Sequence, residues 1–199
     1  MPKLVDHQER REAIAHALWR VVDQQGWAGA SLREVAREAG VSLGQLQHYF
    51  ASRTAMLAFA MEHAAEQTSD RIGRGLAALS QPTHPRDVLR VVLTEMLPVH
   101  PDARASSRMS AAYVLEALDD PALRECAGLG LRDGRAMVEK LVREAMAQGW
   151  IAPDRDPDVE TDLLLALTGF STLLELGVVE PRAALAAVDQ HLDRLFDGA

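Results

Sequence analysis

The sequence predicts an all-α protein, on the strength of its composition and of its apolar spacing. Alanine and leucine are the most abundant residues, aromatic residues make up only 5%, and runs of β-branched residues are scarce. Apolar residues recur at the three-to-four-residue spacing of a helix in successive segments that glycine, proline or capping residues bound. With 48% hydrophobic and 25% charged residues, the chain of 199 residues has an ordinary globular composition, which argues against disorder.

Caps and breakers set the boundaries of nine predicted helices. Gly26 ends the first of them, Trp27 is expected to anchor the turn that follows, and Pro101 is expected to end the fifth. Three glycines between residues 128 and 134 predict a kink in the seventh. The predicted helices span residues 7–25, 32–39, 43–50, 53–79, 85–100, 103–118, 121–148, 157–177 and 181–197.

Two short helices near the N-terminus meet across a tight turn. Ser31 and Glu34 have the spacing of a capping box at the start of the first, and Gly40 ends it. Ser42 is a natural N-cap for the second. This arrangement is typical of a helix-turn-helix, whose second helix lies in the DNA major groove. Gly44 costs the second helix about 1 kcal/mol relative to alanine, and close approach of the backbone to a phosphate would explain it.

The charge distribution is compatible with DNA binding, although the net charge is −8. Residues 1–55 hold seven Lys/Arg against six Asp/Glu, so the acidic excess lies in residues 56–199. Phosphate affinity depends on the local potential, so a nearly neutral head predicts modest non-specific affinity. The charge distribution alone is also compatible with an acidic protein that has no nucleic-acid partner.

Signatures of catalysis and of membrane insertion are lacking in the sequence. No Gly-x-Ser-x-Gly elbow, phosphate-binding loop or His-Glu-x-x-His zinc motif occurs, so we expect no catalytic residue, metal or cofactor. His63 and Glu66 lie three apart, but without a second such pair they are interpreted as structural. The single cysteine, Cys126, is interpreted as a small buried apolar residue and favours a reducing cytoplasm. No apolar run long enough for a membrane span is present.

The block from Gly26 to Leu57 resembles the DNA-binding segment of the tetracycline-repressor (TetR) family. It contains Ser-Leu-Arg-Glu-Val-Ala-Arg-Glu-Ala-Gly-Val-Ser from Ser31, then Gly-Gln-Leu-Gln-His-Tyr-Phe from Gly44, and then the basic residue Arg53. The resemblance implies a nine-helix fold in which residues 1–55 bind DNA and residues 56–199 bind a ligand and dimerise. The remainder of the chain loosely resembles one subtype of the family's ligand-binding and dimerisation region, the subtype grouped with choline-responsive repressors.

The resemblance assigns DNA contacts to the start of the second helix, to the exposed face of the third and to the start of the fourth. Arg53 stands where the family usually has a phosphate-contacting lysine, and a nearby carboxylate is its alternative partner. Leu43 and Gln47 depart from the commoner residues, and Gln47 suits bidentate recognition of adenine. The residues assigned to DNA are Ser31, Arg33, Ser42, Leu43, Gly44, Gln45, Gln47, His48, Tyr49 and Arg53.

In the body, the resemblance implies a cavity for a small-molecule effector and a homodimer interface. Glu116 and Glu175 lie within otherwise apolar segments. Each is expected to be exposed, paired with an arginine such as Arg108, or free to bind a cationic ligand. The candidate ligand residues are Met96, His100, Met109, Tyr113, Glu116, Phe170, Leu174 and Glu175. The candidate dimer residues are Leu163, Leu167, Phe170, Leu173, Val188, Leu192 and Leu195.

These expectations amount to a cytoplasmic homodimer that binds palindromic operator DNA and leaves it when the effector binds. The alternative is a helical enzyme or carrier whose first helices only pack the fold, and the capped, polar pattern of residues 31–53 argues against it. Activation in place of repression stays open.

Overall fold

The computed structural model describes residues 2–26 and 29–197, so Trp27 lies outside the described residues. The all-α class is confirmed, since no strand occurs in the described ranges. The helices are α1 (Pro2–Gln25), α2 (Leu32–Glu38), α3 (Leu43–Tyr49), α4 (Arg53–Ala77), α5 (Pro85–Glu95), α6 (Pro101–Ala117), α7 (Pro121–Ala147), α8 (Pro157–Ala166), α9 (Phe170–Glu175) and α10 (Pro181–Phe196).

The chain divides into two compact units. The first comprises Met1–Gln67 with Ala105–Gly128, and the second comprises Thr68–Arg104 with Leu129–Ala199. Helices α4, α6 and α7 each contribute residues to both units. The short helices α2 and α3 lie wholly in the first unit, together with the end of α6. The functional division between residues 55 and 56 stays a prediction.

The first unit has an apolar core that joins α1 to the two short helices, α4 and α6. Leu18 of α1, Val35 of α2 and Leu46 of α3 are each fully buried. Phe50 and Met56, which flank the start of α4, are buried with them. Because α2 and α3 are too short to be stable alone, this packing is what holds them in place.

The second unit has a separate core of aliphatic side chains. Leu89 and Leu93 of α5 pack in the same cluster as Val142 of α7 and Val188 and Leu192 of α10. Two arginines of α5 strengthen its contact with α10: Arg90 Nε lies 2.5 Å from Asp189 Oδ1, and Arg86 Nη2 lies 2.6 Å from Asp193 Oδ1.

The fifth helix is shorter than the sequence pattern predicted. It ends at Glu95 instead of His100, with Met96 as its C-cap. Pro98 explains the difference, because proline lacks the amide hydrogen that a helix needs and disfavours helical conformation in the residue before it. Helix α6 then begins at Pro101, which had been expected only to end the preceding helix.

The eighth predicted helix, residues 157–177, is formed by α8, a 3₁₀ turn (Leu167–Gly169) and α9. Two hydroxyl groups bond back to the chain here: Thr168 Oγ1 donates to the Leu165 carbonyl at 2.7 Å, and Ser171 Oγ donates to the Thr168 carbonyl at 2.7 Å. Such side-chain bonds to carbonyl oxygens compete with the regular α-helical hydrogen bonds, and here they accompany the 3₁₀ turn between α8 and α9. By contrast, α7 is one uninterrupted helix through its glycines. Cys126 of this helix is exposed, so the prediction that it is buried is wrong.

Candidate nucleic-acid interface

Ser31 caps α2, but the capping box expected there is only half formed. Ser31 Oγ accepts a hydrogen bond from the Glu34 amide at 3.2 Å. The Glu34 carboxylate does not return to Ser31. It accepts instead from Gln25 Nε2 at 2.8 Å and from Arg37 Nε at 3.1 Å. Hydrogen bonds from Arg37 and Gln25 lower the pKa of Glu34 to about 2.

The turn between α2 and α3 depends on Gly40, whose φ is 68°. The Val41 amide donates to the Ala36 carbonyl at 2.9 Å and the Gly40 amide donates to the Arg37 carbonyl at 3.2 Å. This is the way a helix ends on a left-handed glycine, a conformation that residues with a side chain rarely adopt. The turn is therefore encoded at one position.

Helix α3 carries a complete capping box. Ser42 Oγ accepts from the Gln45 amide at 3.1 Å, and Gln45 Oε1 accepts from the Ser42 amide at 2.9 Å. The side-chain oxygen of Gln45, a predicted DNA contact, is thus used to fix the start of the helix. This defines the N-terminus of the predicted recognition helix and leaves base reading mainly to its later residues.

Gln47 and His48 are exposed on α3, and Tyr49 is half-buried beside them. The Tyr49 ring lies 4.9 Å from the ring of His7 on α1, measured between centroids. Tyr49 is therefore held by α1. The His48 ring lies beside it, with centroids 5.6 Å apart, and both Gln47 and His48 are exposed to solvent. An exposed pair of hydrogen-bonding side chains beside an ordered aromatic is suited to contact base edges.

Gly44 lies in the first turn of α3 with open space around it. A Cβ added at this position would meet no atom within 4 Å, so packing within the chain does not require glycine here. Ser31, Arg33 and Ser42 are exposed, and Leu43 is half-buried. The starts of α2 and α3 therefore offer accessible backbone and polar groups.

Arg53, the first residue of α4, is held by the protein. Its Nη1 lies 2.6 Å from Glu116 Oε1 at the end of α6, and its Nε donates to the Ala30 carbonyl at 3.2 Å. The structure therefore shows the carboxylate partner that was the alternative to a phosphate. Arg108, the arginine suggested for Glu116, lies 2.5 Å from Asp23 Oδ1 instead.

The candidate ligand residues are divided between the two units. Met109 and Tyr113 are buried in the core of the first unit, and Glu116 pairs with Arg53 there. The other five belong to the second unit, where Met96, Phe170 and Leu174 pack against its core. Their role in binding a ligand stays a prediction.

The candidate dimer residues also differ in exposure. Leu163 and Leu173 are 46% and 37% exposed, as a subunit interface requires. On α10, Val188, Leu192 and Leu195 are at most 2% exposed, because they fill the core of their own unit. Helical periodicity predicts that these three side chains are buried, but it does not show which surface covers them. Because their own unit covers them, they are not available to a second subunit.

Sequence reasoning missed a buried ionic cluster and a histidine pair. Glu160 is 5% exposed, and its Oε1 lies 3.0 Å from Arg155 Nη1. His16 and His63 bring their Nε2 atoms within 3.4 Å. No local pattern could have revealed the histidine pair, because 47 residues separate its members. Within residues 2–26 and 29–197, no helix is long and apolar enough to cross a membrane.

A capped pair of short helices, a glycine turn and an exposed polar face on the second helix define a helix-turn-helix protein of the DNA-binding class. Residues 14–59 match the family model described as bacterial regulatory proteins, tetR family. Residues 85–197 match the model described as BetI-type transcriptional repressor, C-terminal. The chain therefore belongs to the TetR family of transcriptional regulators.

Individual relatives agree with this assignment. The chain is 33% identical over 167 residues to the HTH-type transcriptional regulator PksA of Bacillus subtilis (strain 168), covering 84% of this chain and 78% of that protein. A TetR-family regulator from Rhodococcus sp. has the same fold, with a TM-score of 0.83, 24% identity and coverage of 95% and 99% of the two chains. A regulator from Saccharomonospora viridis, solved in complex with choline, has a TM-score of 0.78 at 20% identity and coverage of 96% and 97%.

Proposed function

We propose that this regulator is a homodimeric repressor that binds a two-fold-symmetric operator through α3 and dissociates when a small molecule binds outside the helix-turn-helix. The observation that carries the proposal is α3 itself: a fully capped helix whose polar residues Gln47 and His48 are exposed. The match of residues 85–197 to a BetI-type repressor model supports repression over activation. Its place of action would be the cytoplasm, where the operator DNA lies.

The symmetry of the operator follows from the proposed dimer. Two copies related by a two-fold axis would set their α3 helices one DNA turn apart, about 34–36 Å, to enter successive major grooves. The candidate surface for this contact lies around α8 and α9, where Leu163, Leu173 and Leu176 are exposed. Leucines at such positions are what a subunit interface would cover.

The effector proposed here is an apolar molecule with a cationic group. Support comes from the BetI-type match and from the choline bound to the Saccharomonospora viridis regulator, although likeness to that protein shows only the fold. Glu175, a half-buried carboxylate of α9, is the candidate acidic contact, with Phe170 of the same helix as an aromatic one. Glu116 is less suited, because Arg53 already neutralises it.

The recognition-helix assignment is tested by Gln47→Ala on an operator selected from random duplex DNA. We expect a loss of about 1–3 kcal/mol in binding and relaxed preference at one position of each half-site. Gln24→Ala is the matched control, since Gln24 is an exposed glutamine of α1 in the same unit. An unchanged sequence preference in Gln47→Ala would show that another surface reads the DNA.

A further inference from the structure

Two histidines of the first unit meet between α1 and α4. His16 Nε2 lies 3.4 Å from His63 Nε2. The His63 ring lies near Trp19 and Phe59 in stacked orientations, with centroid distances of 5.6 Å and 6.4 Å. His63 is only 11% exposed, whereas His16 is exposed to solvent, so the pair has one fixed member and one accessible member.

The distance between the two nitrogens matches metal ligation. Histidine nitrogens bind zinc at about 2.0–2.1 Å, and tetrahedral geometry then places two of them about 3.4 Å apart. The two nitrogens are within hydrogen-bonding distance of each other, so a metal ion that bound both Nε2 atoms would replace the proton between them, with little movement of α1 or α4. The stacking of His63 on Trp19 limits the rotations that would otherwise separate the nitrogens.

Two polar side chains lie beside the pair. Glu66 Oε2 lies 3.6 Å from His63 Nδ1, which is longer than a hydrogen bond, and a small shift of this exposed carboxylate would let it accept from Nδ1–H. In that arrangement Nε2 of His63 is unprotonated and open to a metal. Gln67 Nε2 lies 3.1 Å from His63 Nε2, and rotation of that amide would present its oxygen instead.

We propose that His16 and His63 form a two-histidine site for a divalent transition-metal ion of the zinc type, which links α1 to α4. Water and the Gln67 oxygen would complete the coordination. No group of three or more His, Cys, Asp or Glu that could hold a metal occurs in the described residues, so the proposed site has only two imidazole ligands. Its affinity is accordingly lower than that of a closed four-ligand structural zinc site.

Zinc titration of the metal-stripped, tag-free protein by calorimetry tests the site. We expect one zinc ion per chain at pH 7.5, with at least tenfold weaker binding in His16→Gln and in His63→Gln. His100→Gln is the matched control, because His100 is an exposed histidine of the second unit. Lowering the pH to 5.5 should weaken zinc binding to the unmodified protein, since protons compete for the same nitrogens.

The result that overturns the proposal is zinc binding that His16→Gln leaves unchanged, or no zinc binding by the unmodified protein. His16→Gln is the decisive variant if His63→Gln fails to fold, because His16 is exposed and its replacement leaves the core intact. A copper titration locates the site independently. Copper bound there should quench the fluorescence of Trp19, whose ring centroid lies 4.9 Å from that of His16, and Trp19→Phe should remove that component.

Discussion

Replacing Gly44 by alanine separates the stability of α3 from its contact with DNA. Gly44 is exposed in the first turn of this helix, and an added Cβ would meet no atom within 4 Å. Alanine is favoured over glycine in a helix by about 0.5–1 kcal/mol. In a protein of this size that gain raises the melting temperature by roughly 1–4 °C. The glycine is therefore not explained by the folded chain alone.

If α3 binds DNA as proposed, the presence of glycine at position 44 is explained by the approach of a phosphate to the first turn of this helix. The methyl group of alanine would hold the phosphate away from the backbone amides there. A hydrogen bond to a charged group contributes about 1.5–3 kcal/mol, so its loss weakens operator binding roughly tenfold to hundredfold. Gly44→Ala should thus be more stable than the unmodified protein and bind its operator less tightly.

The assay combines thermal unfolding with fluorescence anisotropy on labelled operator at several salt concentrations. Gly130→Ala is the matched control: Gly130 is also exposed, helical and surrounded by open space, but it lies on α7 in the second unit. It should gain stability without losing affinity. Operator binding by Gly44→Ala that equals that of the control would refute the phosphate approach.

Two further predictions concern assembly and the effector. Leu173→Asp should shift the protein from dimer to monomer in light scattering at micromolar concentration, whereas Leu131→Asp, an equally apolar exposed site on α7, should leave the dimer intact. Cationic amphiphiles should release the operator in an anisotropy titration, and neutral analogues of the same size should do so more weakly. Glu175→Gln should reduce that difference, and release by anionic analogues alone would contradict the charge assignment.

Local signals in the sequence were sufficient to predict the helix-turn-helix. Ser42 and Gln45 form the capping contacts of α3, and Gly40 adopts the positive φ that the turn needs. Each of these depends on residues within five positions of one another, so spacing alone encodes them. The half-formed capping box at Ser31 shows the limit of such local prediction. The spacing predicts that the Glu34 carboxylate accepts from the Ser31 amide. It accepts instead from Arg37 and from Gln25, which lies nine residues before Glu34.

Contacts between distant segments could not be predicted in the same way. The periodicity of α10 shows that Val188 and Leu192 are buried, but a stripe of apolar residues is the same whether it covers its own unit or a second subunit. Charged side chains raise the same difficulty. Arg53 and Glu116 are 63 residues apart, and their pairing depends on where α6 ends relative to α4 within the first unit.

The ion pair between Arg53 and Glu116 reduces the positive charge that the first unit offers to DNA phosphates. Four arginines of the first unit carry carboxylate partners, namely Arg20, Arg37, Arg53 and Arg108. Because paired charges contribute little positive potential, we expect this regulator to neutralise few phosphates and to have low non-specific affinity for DNA. On the proposed function, discrimination would then depend on base contacts from α3 more than on charge, since weak non-specific binding leaves fewer competing sites occupied on genomic DNA. An acidic chain and a specific DNA-binding helix are therefore consistent with each other.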